Sequence, residues 1–406
     1  MQRNLRVSID QTTWPGTGLQ PSFPTTFQNG VQTHALNIPA MLLMIGYLTT
    51  PTSSTGVSLS EFWAWVRYLA AIATQADLSL TKSFWELDAH QKTILSDDFG
   101  MGVPLHWLWG KLDFIRVVDG RYFMQRIASS LNATQARTAK RGPNKTPDFV
   151  ALDNYGKWHV IECKGTQSGA KYSLKQLGVK GPPSTGGIAQ KCSIQFPSGY
   201  TGQRLVCGLS IGVEGGAGSV LEIIDPKSEK PFKLEKDQMN LAQDAANRGT
   251  MAKALRMAGF EVTAESVASP FGPRAEDKPA RTKKAETARK KVTDERDKRS
   301  REEIRGIISR RQTFEEDFWG RETVVALPRE VLVDGQPVKR VIIQQGINRD
   351  ALEELEQKPS VEDLVDNGDA IKWVGLMSDG DSVVEGHDQS ATMRIGSIFR
   401  LAIHLD

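Results

Sequence analysis

The chain is poor in the residues that build disulfide frameworks, zinc sites and membrane spans. Its three cysteines, Cys163, Cys192 and Cys207, are odd in number and include no CxxC pair. Neither a disulfide framework nor a zinc site is indicated, and the thiols fit a reducing, cytoplasmic setting. The six histidines are scattered without metal-ligand spacing, and His159, on an expected strand, reads as structural. The longest uncharged apolar run, ALNIPAMLLMIGYL near residues 35 to 50, is too short and proline-interrupted to span a bilayer, so it predicts a buried helix. The opening MQRNLRVSIDQTTWPGTG lacks the charged start, apolar run and cleavage site of a secretory signal. No internal repeat is visible. GVEGGAGS at 212 to 219 has the glycines of a phosphate cradle but no GK[ST], and reads as a hairpin loop. Asp98-Phe99-Gly100 lacks the accompanying loop and lysine motifs of a kinase.

What is present is an ordinary globular composition. A chain of 406 residues, 39% hydrophobic and 24% charged, has room for two or three cores. The net charge of +3 hides an uneven distribution: residues 274 to 311 carry an excess of Lys and Arg, and acidic residues follow. That stretch is either a polybasic arm for phosphates or a solvated linker or exposed helix, and in each case it marks a boundary.

Helical spacing predicts a mainly helical region over 1–80, including SLSEFWAWVRYLAAIATQ, and a further helix over TKSFWELDAHQKTILSDDFG that stops at Gly100. From about residue 110 short runs, LDFIRVV, RYFMQRIA, DFVAL, KWHVIECKG, QRLVCGLSIGV and SVLEIID, predict one mixed sheet. A helix ending at Gly259 follows. Residues 313–406 read as a small α/β domain, with strands at VVALP, VKRVIIQ, IKWVGLM and FRLAIHL and helices at RDALEELEQ and SVEDLVD. The domain plan is therefore 1–80, 81–265, a basic segment 266–312, and 313–406. The C-terminal domain offers a surface for homo-oligomerisation or a partner protein, with nothing that names a ligand.

TPDFVALDNYGKWHVIECKGTQ, residues 146 to 167, places three charges where strands carry apolar residues. A hairpin with the loop Asn154-Tyr155-Gly156 sets Asp153 opposite Lys157, Val150 opposite Val160 and Asp148 opposite Glu162. Strand alternation adds Lys164 to that face and sends Phe149, Ile161 and Cys163 to the other. Two facing carboxylates repel unless a cation separates them. Oxygen ligands from Asp148 and Glu162, joined by the backbone carbonyl of Cys163, suit Mg²⁺, with Mn²⁺ able to substitute. Lys164 is then placed to orient or deprotonate a water and to neutralise charge on a phosphate, which points to phosphodiester hydrolysis.

Pro147-Asp148 followed by Glu162-Cys163-Lys164 resembles the PD-(D/E)XK nuclease superfamily, over residues 80 to 265 at most. The resemblance implies a restriction-endonuclease-like αβββαβ core and an α/β fold class. It also implies Mg²⁺-dependent endonuclease activity on nucleic acid, with DNA favoured, in a restriction or anti-phage setting. Family members often add an acidic residue from the first core helix, for which Glu86 is the candidate here. They also add a glutamine or lysine after the second motif, for which Gln190 and Lys191 are preferred among Gln167, Lys171, Gln176, Gln190 and Lys191. Lys140, Arg141 and Lys145, just before the aspartate, are candidate backbone contacts, as are Lys171 and Lys191. The alternative is a catalytically inactive chain that keeps the fold as a nucleic-acid-binding or assembly scaffold.

Overall fold

The computed structural model describes residues 1–16, 18–54, 60–131, 146–178, 187, 194–225, 232–309, 313–315, 317–333, 335–362 and 371–406. Period-two burial in QRNLRVSI, with Leu5, Val7 and Ile9 inward, makes the first residues a strand. This strand, β1 (Gln2–Ile9), joins β2 (Gly30–Asn37), β3 (Phe114–Asp119), β4 (Phe149–Asp153), β5 (Trp158–Thr166), β6 (Thr201–Ser210) and β7 (Val220–Ile224) in one mixed sheet. Its order is β2-β1-β7-β6-β5-β4-β3. The β5/β6 and β1/β7 pairs are parallel and the others antiparallel. Residues 1–80, expected to be mainly helical, therefore supply two strands of the central sheet. One strand partner of Gln2–Ile9, β7, lies more than 200 residues away, so no local pattern marks this segment as part of the sheet.

The uncharged run at 35 to 50 forms α1 (Ile38–Thr49), buried from Ile38 through Leu48 and capped by the Asn37 side chain, which accepts from the Ala40 N–H. A helix apolar all round needs cover on every side. It receives this from α2 (Ser60–Val66), from the long helix described next, and from the second sheet. After a single turn, α3 (Lys82–Trp85), Asp88 caps α4 (Ala89–Leu112) through the N–H groups of His90 and Gln91. Gly100 does not end this helix; it lies in its middle. A Cβ there would sit 2.5 Å from the Gly165 nitrogen, and one at Gly165 would sit 1.7 Å from the Ser96 carbonyl oxygen. The two glycines let α4 lie directly on β5, which brings the helix side chains next to Gly100 close to those next to Gly165.

RYFMQRIA, expected as a strand, is part of α5 (Gly120–Leu131). Its buried Tyr122, Phe123, Arg126 and Ile127 recur at helical spacing. Then come α6 (Ala170–Leu177), the largely buried α7 (Met239–Met257), α8 (Glu261–Ala268) and α9 (Lys283–Ser309). The basic segment contains the mostly exposed helix α9, in which Thr293, Ser300 and Ile304 are buried. Glu303 ties α9 to α8 by accepting from the N–H groups of Val262 and Thr263 at 3.0 and 2.9 Å.

The C-terminal residues form a separate antiparallel sheet of β8 (Phe318–Val333), β9 (Gln336–Asn348), β10 (Val383–His387), β11 (Ser390–Ile395) and β12 (Phe399–Leu405), in the order β8-β9-β12-β11-β10. The short segment Thr313–Glu315 pairs against β8. RDALEELEQ forms α10 (Arg349–Gln357). IKWVGLM, expected as a strand, forms α11 (Lys372–Ser378) with Trp373 and Met377 buried one turn apart. Part of SVEDLVD lies outside the described residues. One continuous apolar core runs from Leu5 in the central sheet through α1 to Leu405 in β12. Among the described residues no helix is long and apolar enough to cross a membrane.

Candidate active site

The β4–β5 hairpin has the register expected from its turn. Gly156 adopts φ 72°, the left-handed conformation that glycine takes without penalty. The Asp153 carboxylate accepts from the N–H groups of Tyr155 and Lys157 at 2.8 and 2.7 Å, and Val150 faces Val160. His159 sits between Asp153, 3.0 Å from its Nε2, and the Gln203 N–H, which donates to Nδ1 at 3.0 Å. Both nitrogens are satisfied, as a structural residue requires.

Beyond the last ladder pair, Phe149 with Ile161, the strands hold each other through side chains. The Asp148 N–H donates to Glu162 Oε2 at 3.1 Å, and the Cys163 N–H donates to Asp148 Oδ2 at 2.8 Å. The two carboxyl groups are within hydrogen-bonding reach of one another. Lys164 Nζ donates to Glu162 Oε1. Phe149, Ile161 and Cys163 lie in the core on the opposite face. Asp148, Glu162 and Lys164 thus converge on one side, with each carboxylate fixed by the neighbouring strand's backbone.

Burial governs their protonation. Glu162 has no exposed surface, and this burial, helped by the facing Asp148 charge, pushes its carboxyl up to about 8 against the pull of Lys164. Asp148 is raised by burial as well, with Lys164 and the Cys163 N–H opposing. Burial pulls Lys164 down, but the Asp148 and Glu162 charges more than offset it and leave its ammonium above the usual value. A charged Lys164 is not a proton acceptor at neutral pH. Of the two roles its position suggests, orienting with charge neutralisation and deprotonating, this environment favours the first.

A buried carboxylate pair whose two charges face a single ammonium, Lys164, is chemically suited to a hard divalent cation, which takes few carboxylates and keeps several waters. Among the described residues no group of three or more His, Cys, Asp or Glu side chains is placed to hold a metal. Of the expected donors, the Asp148 and Glu162 carboxylates lie together on one face, and Cys163 stands between Glu162 and Lys164 in the strand.

Glu86 is not part of this arrangement. It is exposed at the C-terminal end of α3, a separate turn from α4. The acidic residue that α4 brings is Asp97: burial raises its carboxyl, the Lys164 charge lowers it and the Asp148 charge raises it, so it feels both groups. Its neighbour Asp98, pushed up to about 6 by burial, accepts from the Tyr68 hydroxyl. Neither aspartate is marked by the sequence, because a helix expected to stop at Gly100 conceals the packing that places them. Glu86→Gln should leave cleavage of any phosphodiester substrate unchanged. Asp97→Asn should lower it on the order of tenfold by shifting the charges on Asp148 and Lys164; steady-state rates of the two purified variants would check this. A loss in Glu86→Gln with none in Asp97→Asn would reverse the assignment.

Lys171 is exposed on the first turn of α6. Gln167 donates to the Lys92 carbonyl and the Ser96 hydroxyl, which makes it a β5–α4 tie. Gln190, Lys191, Lys140, Arg141 and Lys145 lie outside the described residues. No protein-family model, curated protein or solved structure matches the chain.

Proposed function

We propose that this chain is a Mg²⁺-dependent nuclease of the PD-(D/E)XK type that hydrolyses phosphodiester bonds of nucleic acid. The observation that carries the reading is the clamp of Asp148 and Glu162, each held by the other strand's backbone, with a charged Lys164 on the same face. The order of elements supports it. The run α4-β3-β4-β5-α6-β6, with β5 and β6 parallel, has the αβββαβ sequence of a restriction-endonuclease-like core, with α5 inserted between β3 and β4.

Asp148 and Glu162 would hold the cation, and the backbone N–H groups that fix their oxygens spare the site the cost of reorganising them. Bound Mg²⁺ supplies charge neutralisation at the phosphate and acidifies a coordinated water. Lys164, kept as an ammonium by the two carboxylates, donates to a phosphate oxygen or the attacking water and stabilises charge as it builds. Asp97 adds negative charge on the α4 side, which supports the protonated state of Lys164.

The test is to incubate the purified chain with plasmid, linear duplex and single-stranded DNA and with RNA, with and without Mg²⁺. Mg²⁺-dependent cleavage that is lost in Asp148→Ala is expected. No cleavage of any substrate would favour a scaffold that keeps the fold without the chemistry.

A further inference from the structure

Beside Asp148 a cleft of about 690 Å³ opens between the end of α1, the turn after α2, one side of α4 and the start of α5. Two guanidinium groups line it. Arg67 is held by Gln91, whose Oε1 accepts from its Nη2 at 2.6 Å. Arg121 is exposed on the first turn of α5 and has no hydrogen-bond or ion-pair partner among the described residues. The wall also carries half-buried Met101 and Ile94, the latter 55% exposed.

The cleft's other carboxylates are already committed. Asp119 pairs with buried Lys253 at 2.6 Å and accepts from the Thr52 N–H and hydroxyl, and Asp98 accepts from Tyr68. Their repulsion of an anion is reduced accordingly, and Arg67 and Arg121 remain available to one.

We propose that this cleft binds an unpaired stretch of a nucleic-acid strand, with Arg67 and Arg121 on its phosphates and the Ile94 and Met101 wall against its bases; the assignment rests on the nuclease reading of the adjoining carboxylates. A cavity of this volume encloses a ligand of one or two nucleotides. A duplex keeps its base faces stacked and cannot offer them to Ile94 and Met101, whereas a single strand or a frayed end can. Guanidinium groups suit phosphate oxygens because their fork of donors matches them in pairs. The preferred substrate is therefore single-stranded nucleic acid or an unpaired end, cut where the strand passes Asp148.

The experiment uses the full chain carrying Lys164→Ala, with Mg²⁺, and measures fluorescence anisotropy of a labelled single-stranded oligonucleotide and of its blunt duplex. The single strand should bind at least about tenfold tighter. Arg121→Ala should weaken single-strand binding about fivefold to tenfold and reduce the slope of log K against log salt by roughly 0.7. Arg67→Gln should act in the same direction, and Arg340→Ala, exposed on β9, should have no effect. Duplex binding as tight as single-strand binding, or an Arg121→Ala variant that binds normally, overturns the assignment. Cleavage by the unmutated chain separates the two readings. Arg121-dependent single-strand binding without any cleavage removes the nuclease and keeps the cleft, whereas equal cleavage of duplex and single strand keeps the nuclease and removes the cleft's selectivity.

Discussion

Lys164→Ala is expected to slow Mg²⁺-dependent cleavage by about two to four orders of magnitude, the usual worth of a single positioned electrostatic group. The side chain is 24% exposed and tied to Glu162, so its loss opens no core cavity and the variant should fold. The raised ammonium adds a sharper expectation. If Lys164 works by its charge, Lys164→Arg, which keeps the charge and cannot act as a base, should recover activity to within about tenfold of the unmutated chain. A lysine that accepts a proton would leave the arginine variant as inactive as the alanine one. Asp148→Ala should cost at least as much as Lys164→Ala, and the double variant little more than the worse single one, because groups acting as a unit lose activity non-additively. Unchanged turnover in both single variants would mean that the three charges do not cut a phosphodiester.

The parts of the site that could be read from the sequence depend on local geometry. A three-residue loop with a glycine fixes a hairpin register, and the register alone puts Asp148, Glu162 and Lys164 on one face. The exposed α9 and the buried α1 were legible for a related reason: the charge density of the one and the unbroken apolarity of the other state where each must lie. What was hidden depends on long-range packing. Asp97 feels the charges of Asp148 and Lys164 from a helix that Gly100 and Gly165 let rest on β5, a contact between residues 65 positions apart. A glycine that admits a neighbouring backbone and one that stops a helix look alike in the sequence. The strand β1 pairs with β7 across more than 200 residues, and no local pattern announces such a partner. RYFMQRIA and IKWVGLM were misassigned because short apolar runs satisfy strand and helix spacing equally. Their buried residues, Phe123 with Ile127 and Trp373 with Met377, are one helical turn apart.

Glu162 should make the metal-free protein less stable as the pH rises. Its carboxyl is held up to about 8 in the folded chain, mainly by burial and then by the Asp148 charge, against an ordinary value of 4.5. Between those values the folded chain binds a proton that the unfolded chain does not. The stability linked to this group is therefore fully present below about pH 4.5 and is lost progressively as the pH climbs through about 8. Asp148, raised in the same way, acts with the same sign. The expected loss is a few kcal/mol, visible in urea denaturation between pH 5 and about pH 9 with a chelator present. Glu162→Gln keeps the shape with one acceptor oxygen, so it can serve the Asp148 N–H or Lys164 but not both, and it leaves one carboxylate balanced by one ammonium. Without metal it should show a flatter pH dependence than the unmutated protein and gain on it between pH 5 and about pH 8.5. Mg²⁺ added at about pH 8 should restore stability to the unmutated chain, because a bound cation stabilises the ionised pair that the protein alone cannot. It should do little for Glu162→Gln, whose cleavage should fall by about three orders of magnitude. A metal-free protein whose stability is flat or rises from pH 5 to about pH 8, with a Glu162→Gln variant that follows the same curve, would mean that the pair is ionised without a cation. The case for Mg²⁺ at Asp148 and Glu162 would then lose its physical basis.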